Sequence, residues 1–245
     1  MTQNDRLREV YTDPSHEAGY SGIKKLSVAC REPQSDVRRW LLDQESYSLH
    51  FPARRRFRRN PVIATSIGDL CQADLVDMSA FASQNDGYRY LLTFIDVFSK
   101  QADAVSLTNK TAREIMEGFR KIFEKFIPRQ IQTDRGLEFK NKTVLNYMKA
   151  NGVNLYFSYN QDVKAAVVER FNRTLKSKMF RYFTHAGSRR YIDVLSDLIQ
   201  SYNNSYHRSI RMRPVEVEAA DPGLVFRNLY GYSSERAMLL AHGKT

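Results

Sequence analysis

The sequence predicts a mixed α/β fold on three observations. Three strand patterns follow one another from about residue 69, strand and helix patterns then alternate, and 245 residues with 42% apolar content suffice for one full core plus a small appendage. The first strand is expected over residues 69–78 and the second over 88–97, with Asn85-Asp86-Gly87 as the hairpin turn between them. A third is expected over 102–107, so three consecutive strands run antiparallel. A helix follows over 111–126, with Thr111 near its cap and Ile115, Phe119, Ile122 and Phe123 on one face. A strand over 129–133, a helix over 139–150, a short strand over 153–157 and a long helix over 163–183 complete a five-stranded sheet flanked by helices.

Ahead of this core, residues 19–50 read as short helices. Ile23, Leu26 and Val28 mark one, and Ser35 is the expected N-cap of another that carries Val37, Trp40 and Leu41. Trp40, the one tryptophan of the chain, is expected as a core anchor. Residues 53–59 hold five arginines, among them Arg54, Arg55 and Arg56, and read as an exposed basic linker able to follow a phosphate backbone.

Charge narrows the partners. Lys and Arg number 38 against 27 Asp and Glu, a net charge of +11 with a pI near 9.6, and this balance favours polyanions, nucleic acid first. Cys30 and Cys71 form no Cys-x-x-Cys pair, which argues against a disulfide framework or a four-cysteine zinc site and fits a reducing compartment. No run of about 18 apolar residues and no signal-peptide pattern is present, so a soluble intracellular protein without a membrane partner is expected.

Carboxylates carry the chemistry. Asp134 directly follows a strand pattern, at the carboxyl end where open α/β sheets place their sites, and Gly136 permits a tight turn after it. Asp74 and Asp77 lie on the first strand with opposite facing, and periodicity does not choose between them. Asp96 reads as a structural group at the turn to Ser99 and Lys100. On the long helix, Glu169, Asn172, Arg173 and Lys176 form one stripe, while Val168, Phe171, Leu175, Met179 and Tyr182 form another that can pack on the sheet. Hard Mg²⁺ or Mn²⁺ takes oxygen ligands, and two such ions can serve the entering and leaving oxygens of phosphoryl chemistry. Gathered carboxylates repel one another and raise their own pKa values, so a cation should order them.

Gln72-Ala73-Asp74, Thr133-Asp134-Arg135-Gly136 with Glu138-Phe139, and the run from Val168 through Glu169-Arg170-Phe171-Asn172-Arg173 to Lys176 resemble the retroviral-type integrase core. The resemblance extends over about residues 66–216, takes in Tyr202-Asn203-Asn204, His207, Ser209 and Pro214, and is strongest to integrases of Maverick/Polinton elements and related transposon-derived proteins. It implies a ribonuclease H-like fold in which Asp74, not Asp77, joins Asp134 and Glu169 as catalytic residues and metal ligands. It further implies that Asn172, Arg173 and Lys176, with Lys164 in the preceding loop, contact DNA. The expected activity is metal-dependent 3′-end processing and strand transfer by a nuclear homo-oligomer on double-stranded DNA. A catalytically silent DNA-binding protein and a ribonuclease H-type nuclease are the alternatives.

Three departures from the family accompany it. Cys71 stands where Trp is usual before Gln72, and His16, His50 and Cys30 do not make the His-His-Cys-Cys module, so the N-terminal helices (1–50) are expected to lack zinc. After the basic linker (51–65) and the catalytic core (66–216), residues 217–245 are expected as a tail without the usual C-terminal domain.

Overall fold

The computed structural model describes residues 2–49, 62–134, 136, 138–157 and 165–236. The chain divides into two compact units, Met1–Arg58 and Arg59–Thr245. The arginine-rich segment with Arg54, Arg55 and Arg56, and the loop with Lys164, lie outside the described residues.

The first unit consists of α1 (Gln3–Thr12), α2 (Ile23–Cys30), α3 (Gln34–Leu42) and a single turn, α4 (Glu45–Ser48). Its core gathers Leu7, Tyr11, Leu26, Cys30, Val37 and Leu41, and Tyr11 meets Trp40 edge-on at 5.6 Å between ring centroids. Helix α1 was not expected, because only Leu7 and Tyr11 of its polar sequence turn inward. It starts on a capping box in which Thr2 Oγ1 accepts from Asp5 N–H and the Asp5 carboxylate accepts from Thr2 N–H. Two local expectations fail. Helix α3 begins after Pro33, so Ser35 sits inside its first turn instead of capping it, and Val28 is 79% exposed while Cys30 takes the inward place.

The second unit is built on β1 (Cys71–Asp77), β2 (Tyr90–Asp96), β3 (Ala102–Leu107), β4 (Gln130–Thr133) and β5 (Asn154–Phe157), in the spatial order β3-β2-β1-β4-β5. β1, β2 and β3 pair antiparallel, and β4 and β5 extend the sheet in parallel from β1. Helices α5 (Ala112–Phe123) and α6 (Lys142–Ala150) cover one face, and α7 (Ala166–Ala186) and α8 (Leu195–Asn203) cover the other. The expected hairpin is not tight. Residues 78–89 carry a 3₁₀ turn (Ser79–Gln84), and Asn85 is buried with its amide donating to Phe81 O and Arg189 O, so the connection is tied to the segment after α7.

Alternation along β1 decides which residues face which layer. Cys71 and Ala73 pack with Phe119, Phe139 and Met148 toward α5 and α6, whereas Val76 packs with Val168, Phe171 and Leu175 toward α7. Gln72 and Asp74 share the α7 side with Val76, and Asp77 belongs to the opposite set. Burying Val168, Phe171, Leu175 and Met179 contributes roughly 1.5–3 kcal/mol each and seats α7 on the sheet. Helix α8 is held at the sheet edge by Asn203, whose side chain accepts from Ala102 N–H and donates to Ala102 O, both at 2.9 Å. Tyr202 beside it packs edge-on against Phe171 at 4.8 Å.

The segment expected as a tail is folded through residue 236. A 3₁₀ turn (Pro214–Ala219) and α9 (Pro222–Tyr230), capped by Asp221, bury Val217, Val225 and Phe226 against Ala64, Val97, Phe98 and Ile210. The Tyr230 hydroxyl accepts from Ala64 N–H at 2.9 Å. No helix among the described residues is long and apolar enough to cross a membrane.

At the far end of β2, Asp96 is buried and accepts from Gly68 N–H and Ser99 N–H, both at 2.6 Å, which bears out a structural reading of this carboxylate. Cys71 donates to the same carboxylate from 3.7 Å, and burial pushes its thiol up. Lys100 is buried next to it, donates to Val97 O, and is held down to about 8 by burial against an opposing pull from Asp96. Below about pH 8, Lys100 is charged in both the folded and unfolded chains, and the burial cost is fully present. Between there and its ordinary value of 10.5 only the folded chain has released the proton, so stability rises with pH. Urea unfolding should therefore show the wild-type chain gaining more than about 1 kcal/mol relative to Lys100→Met between about pH 7.5 and about pH 10. A difference independent of pH would contradict the burial of this amine.

Candidate active site

The three carboxylates come from three elements that meet on the α7 side of the sheet. Asp74 lies midway along β1, Asp134 follows the last residue of β4, and Glu169 stands in the first turn of α7. A single buried side chain joins all three elements. Gln72 Nε2 donates to Gln132 Oε1 at 2.8 Å, and Gln72 Oε1 accepts from Val167 N–H at 2.9 Å and Val168 N–H at 3.1 Å. Those two amides belong to the first turn of α7, where the N-cap residue, Ala165, offers no side-chain acceptor. Leaving either without a partner in this buried position costs about 1–3 kcal/mol.

Asp74 is half-buried. Its Oδ1 accepts from Leu75 N–H at 2.8 Å and its Oδ2 from Asn172 Nδ2 at 2.7 Å. Burial pushes its carboxyl up, the Leu75 N–H opposes this, and the negative charges of Asp134, Glu169 and Glu138 push it further up. The four carboxylates thus share one electrostatic field. Asp134 and Glu169 are exposed, and Asp134 Oδ1 accepts from Gly136 N–H at 3.1 Å. Asp77, the alternative on β1, is exposed and accepts from Ser79 N–H; the Ser79 hydroxyl first, its N–H next, then Lys110 and Lys176, hold its carboxyl low. Alternation puts Asp74 on the α7 side with Gln72 and Val76, and Asp77 in the opposite set.

The expected stripe on α7 divides. Glu169, Arg173 and Lys176 are exposed, but Asn172 is buried and its amide faces Asp74, which differs from the DNA contact expected of it. Lys164 and the three linker arginines lie outside the described residues. His207 is half-buried beside Tyr202, its ring 6.4 Å away, and burial, then Lys100 and Arg170, hold its imidazole down.

The donor set suits a hard divalent cation: every ionisable member is a carboxylate, and Asn172 Oδ1 is a buried oxygen without a hydrogen-bond partner next to Asp74. Among the described residues, no three His, Cys, Asp or Glu side chains stand close enough to form a ready ligand group. The acids are neighbours in field, not yet a closed cage.

Sequence reasoning missed Gln72 as a link, Glu138 as a fourth charge and Lys110 as a cation beside Asp77. The first shows only in the fold, where parallel pairing of Gln72 with Gln132 brings Gln72-Ala73-Asp74 beside Gln132-Thr133-Asp134.

Comparison with known proteins gives the class. Residues 64–162 match the family model of the integrase core domain; Glu169 lies beyond the matched span, so its place in the site rests on geometry. A transposon-derived protein of Caenorhabditis elegans is 39% identical over 146 residues, which are 59% of this chain and 51% of that protein. The Pol polyprotein of a radiation murine leukemia virus is 30% identical over 113 residues, 44% of this chain and 19% of the polyprotein. The chain therefore spans about half the length of the nematode relative and under a fifth of the viral polyprotein.

Among solved structures, the simian T-cell lymphotropic virus intasome matches with a TM-score of 0.60 at 16% identity, over 82% of this chain and 72% of that one. The HTLV-2 integrase catalytic core domain in complex with magnesium matches with a TM-score of 0.52 at 15% identity, over 62% and 96%. At these identities the likeness is one of fold, the ribonuclease H-like fold of retroviral integrase cores.

Mg²⁺ is expected to raise the melting temperature of the chain by the equivalent of about 1.4 kcal/mol when supplied at tenfold its Kd. Scanning fluorimetry with Mg²⁺ or EDTA measures this, and Asp74→Ala or Asp134→Ala should abolish the rise. An undiminished rise in both variants would put cation binding elsewhere.

Proposed function

We propose that the chain is the integrase of a mobile element, acting on double-stranded DNA as a homo-oligomer in the nucleus of its host. In the first step a water oxygen attacks a phosphorus near the element's end, the bond to the 3′ oxygen breaks, and a free 3′ hydroxyl is left. In the second, that hydroxyl attacks a phosphodiester of target DNA, a new P–O bond forms, and the target's own 3′ oxygen departs. Each step exchanges one phosphodiester bond for another bond to phosphorus, so no covalent enzyme intermediate is required.

The observation that carries this reading is the placement of Asp74, Asp134 and Glu169 on β1, after β4 and on α7, three elements that Gln72 ties together in an integrase-type fold. Asp74, Asp134 and Glu169 would hold Mg²⁺ or Mn²⁺, which when bound offsets charge on the entering and leaving oxygens. Asn172 holds the Asp74 carboxylate in place through its amide. Arg173 and Lys176, exposed on the helix that carries Glu169, would receive DNA phosphates, with Lys110 alongside Lys176 near Asp77. Magnesium in the HTLV-2 core structure and the intasome assembly of the simian virus protein support the cofactor and the oligomer. Membership of the Maverick/Polinton group is part of the proposal and rests on the sequence segments.

One observation favours a second reading, a DNA-binding protein that no longer joins ends: the described side chains form no ready group of metal ligands. Salt-sensitive DNA binding without metal-dependent joining or nicking would support it. With oligonucleotides bearing candidate element ends, Glu169→Gln should lower strand transfer more than about 100-fold while leaving DNA affinity within about twofold of wild type. Joining at the wild-type rate by this variant would remove Glu169 from the chemistry.

A further inference from the structure

Gln72 is a fully buried polar residue in the middle of a sheet, and every bond it makes leads to a segment that carries one of the acids. Gln132 stands two residues before Asp134, Val167 stands two before Glu169, and Gln72 itself stands two before Asp74. On a strand, two residues amount to one full side-chain repeat, so a residue and its i+2 neighbour share a face about 6.6 Å apart. Fixing Gln72 against Gln132 therefore sets the starts of the two steps, Gln72 to Asp74 on β1 and Gln132 to Asp134 just past the end of β4, side by side. The parallel ladder between β1 and β4 has only two pairs, Cys71 with Ile131 and Gln72 with Gln132, and the side-chain bond sits on the second, the one nearer the acids.

The orientation of the amide is determined. Two backbone N–H groups of α7 require an oxygen, so Oε1 faces the helix and Nε2 is left for Gln132 Oε1. The N-cap residue of helix α7, Ala165, makes no side-chain cap bond, and two amides of its first turn are held by a residue of β1 far away in sequence.

We propose that Gln72 is a positioning residue, a three-way clamp whose amide sets the relative placement of Asp74, Asp134 and Glu169 for the joining reaction. This rests on the reading of those acids as a DNA-joining site. Gln72 touches neither DNA nor the reacting phosphorus in this scheme; it acts through backbone and through Gln132. Reacting groups displaced by about 1 Å can lose on the order of 100-fold in rate.

The test uses the full chain and two readouts. Amide hydrogen exchange at Val167 and Val168 reports the clamp, and single-turnover joining in Mg²⁺ reports its consequence. Gln72→Leu should speed exchange at both amides at least about tenfold, with Leu92 in β2 unchanged, and slow joining by about 30- to 100-fold with DNA affinity within about twofold. Gln72→Glu keeps an acceptor for both amides and should restore their protection along with part of the joining rate. Gln132→Leu, which leaves the α7 cap in place, should slow joining about tenfold without exposing Val167 or Val168, and serves if Gln72→Leu does not fold.

Protection at Val167 and Val168 unchanged in a folded Gln72→Leu chain would overturn the clamp, as would wild-type joining by either leucine variant. A wild-type chain that joins no DNA ends would refute the functional reading instead, and exchange at the two amides would still decide whether the clamp exists.

Discussion

The contact between the Gln72 amide, Gln132 and the first turn of α7 is the constraint on which the arrangement of the site depends. Sheet pairing alone does not define the site, because β1 and β4 share only two pairs and α7 begins at a residue with no capping side chain. Hydrophobic packing presses α7 onto the sheet through Val168, Phe171, Leu175 and Met179, but such packing tolerates sliding along the helix axis. Directional hydrogen bonds from a buried amide do not. They convert a packed helix into one with a defined end, and that end carries Glu169.

Around this fixed point the charges are set against one another. Asp74 is held in a half-buried position where burial and three neighbouring carboxylates oppose its ionisation. Asn172 and the Leu75 N–H stabilise the ionised form, and the positive end of the α7 dipole favours negative charge nearby. The remaining excess of negative charge is what a divalent cation would neutralise. Arg173 and Lys176 are exposed on the helix that carries Glu169, and Lys110 and Lys176 both act on Asp77, so cationic groups accompany the acids. An acidic centre accompanied by cationic groups suits a polyanion whose phosphorus must approach carboxylates.

Most of the core was legible in the sequence because strand alternation and helical periodicity are strong there: α5 buries Ile115, Phe119, Ile122 and Phe123 as their spacing predicts. The third strand matches its expected bounds, and the others begin or end within two or three residues of them. Helices α1, α8 and α9 were missed, and for α1 and α9 the reason is physical. Each turns only two residues fully inward, Leu7 and Tyr11 or Val225 and Phe226, too few to make a periodic stripe. Asp74 and Asp77 could not be separated by periodicity, and the packing of Ala73 against the α5 layer separates them at once. The role of Gln72 was hidden more deeply, since it depends on a register between strands and on a helix whose N-cap residue makes no side-chain bond. Tyr202 and Asn203, which had been matched only by resemblance, acquire physical roles at the Phe171 ring and the edge of β3.

In this scheme Asp74 of β1, Asp134 just after β4 and Glu169 of α7 form one cation-binding centre. Anomalous diffraction from crystals of this chain grown with Mn²⁺ tests it most directly. The account predicts a manganese peak with Asp74 and Asp134 both among its ligands and Glu169 at the same centre, with Gln72 still bonded to Gln132 and to the Val167 and Val168 amides. Manganese bound away from Asp74 and Asp134, or an α7 N-terminus detached from Gln72 while those acids hold the metal, would contradict it.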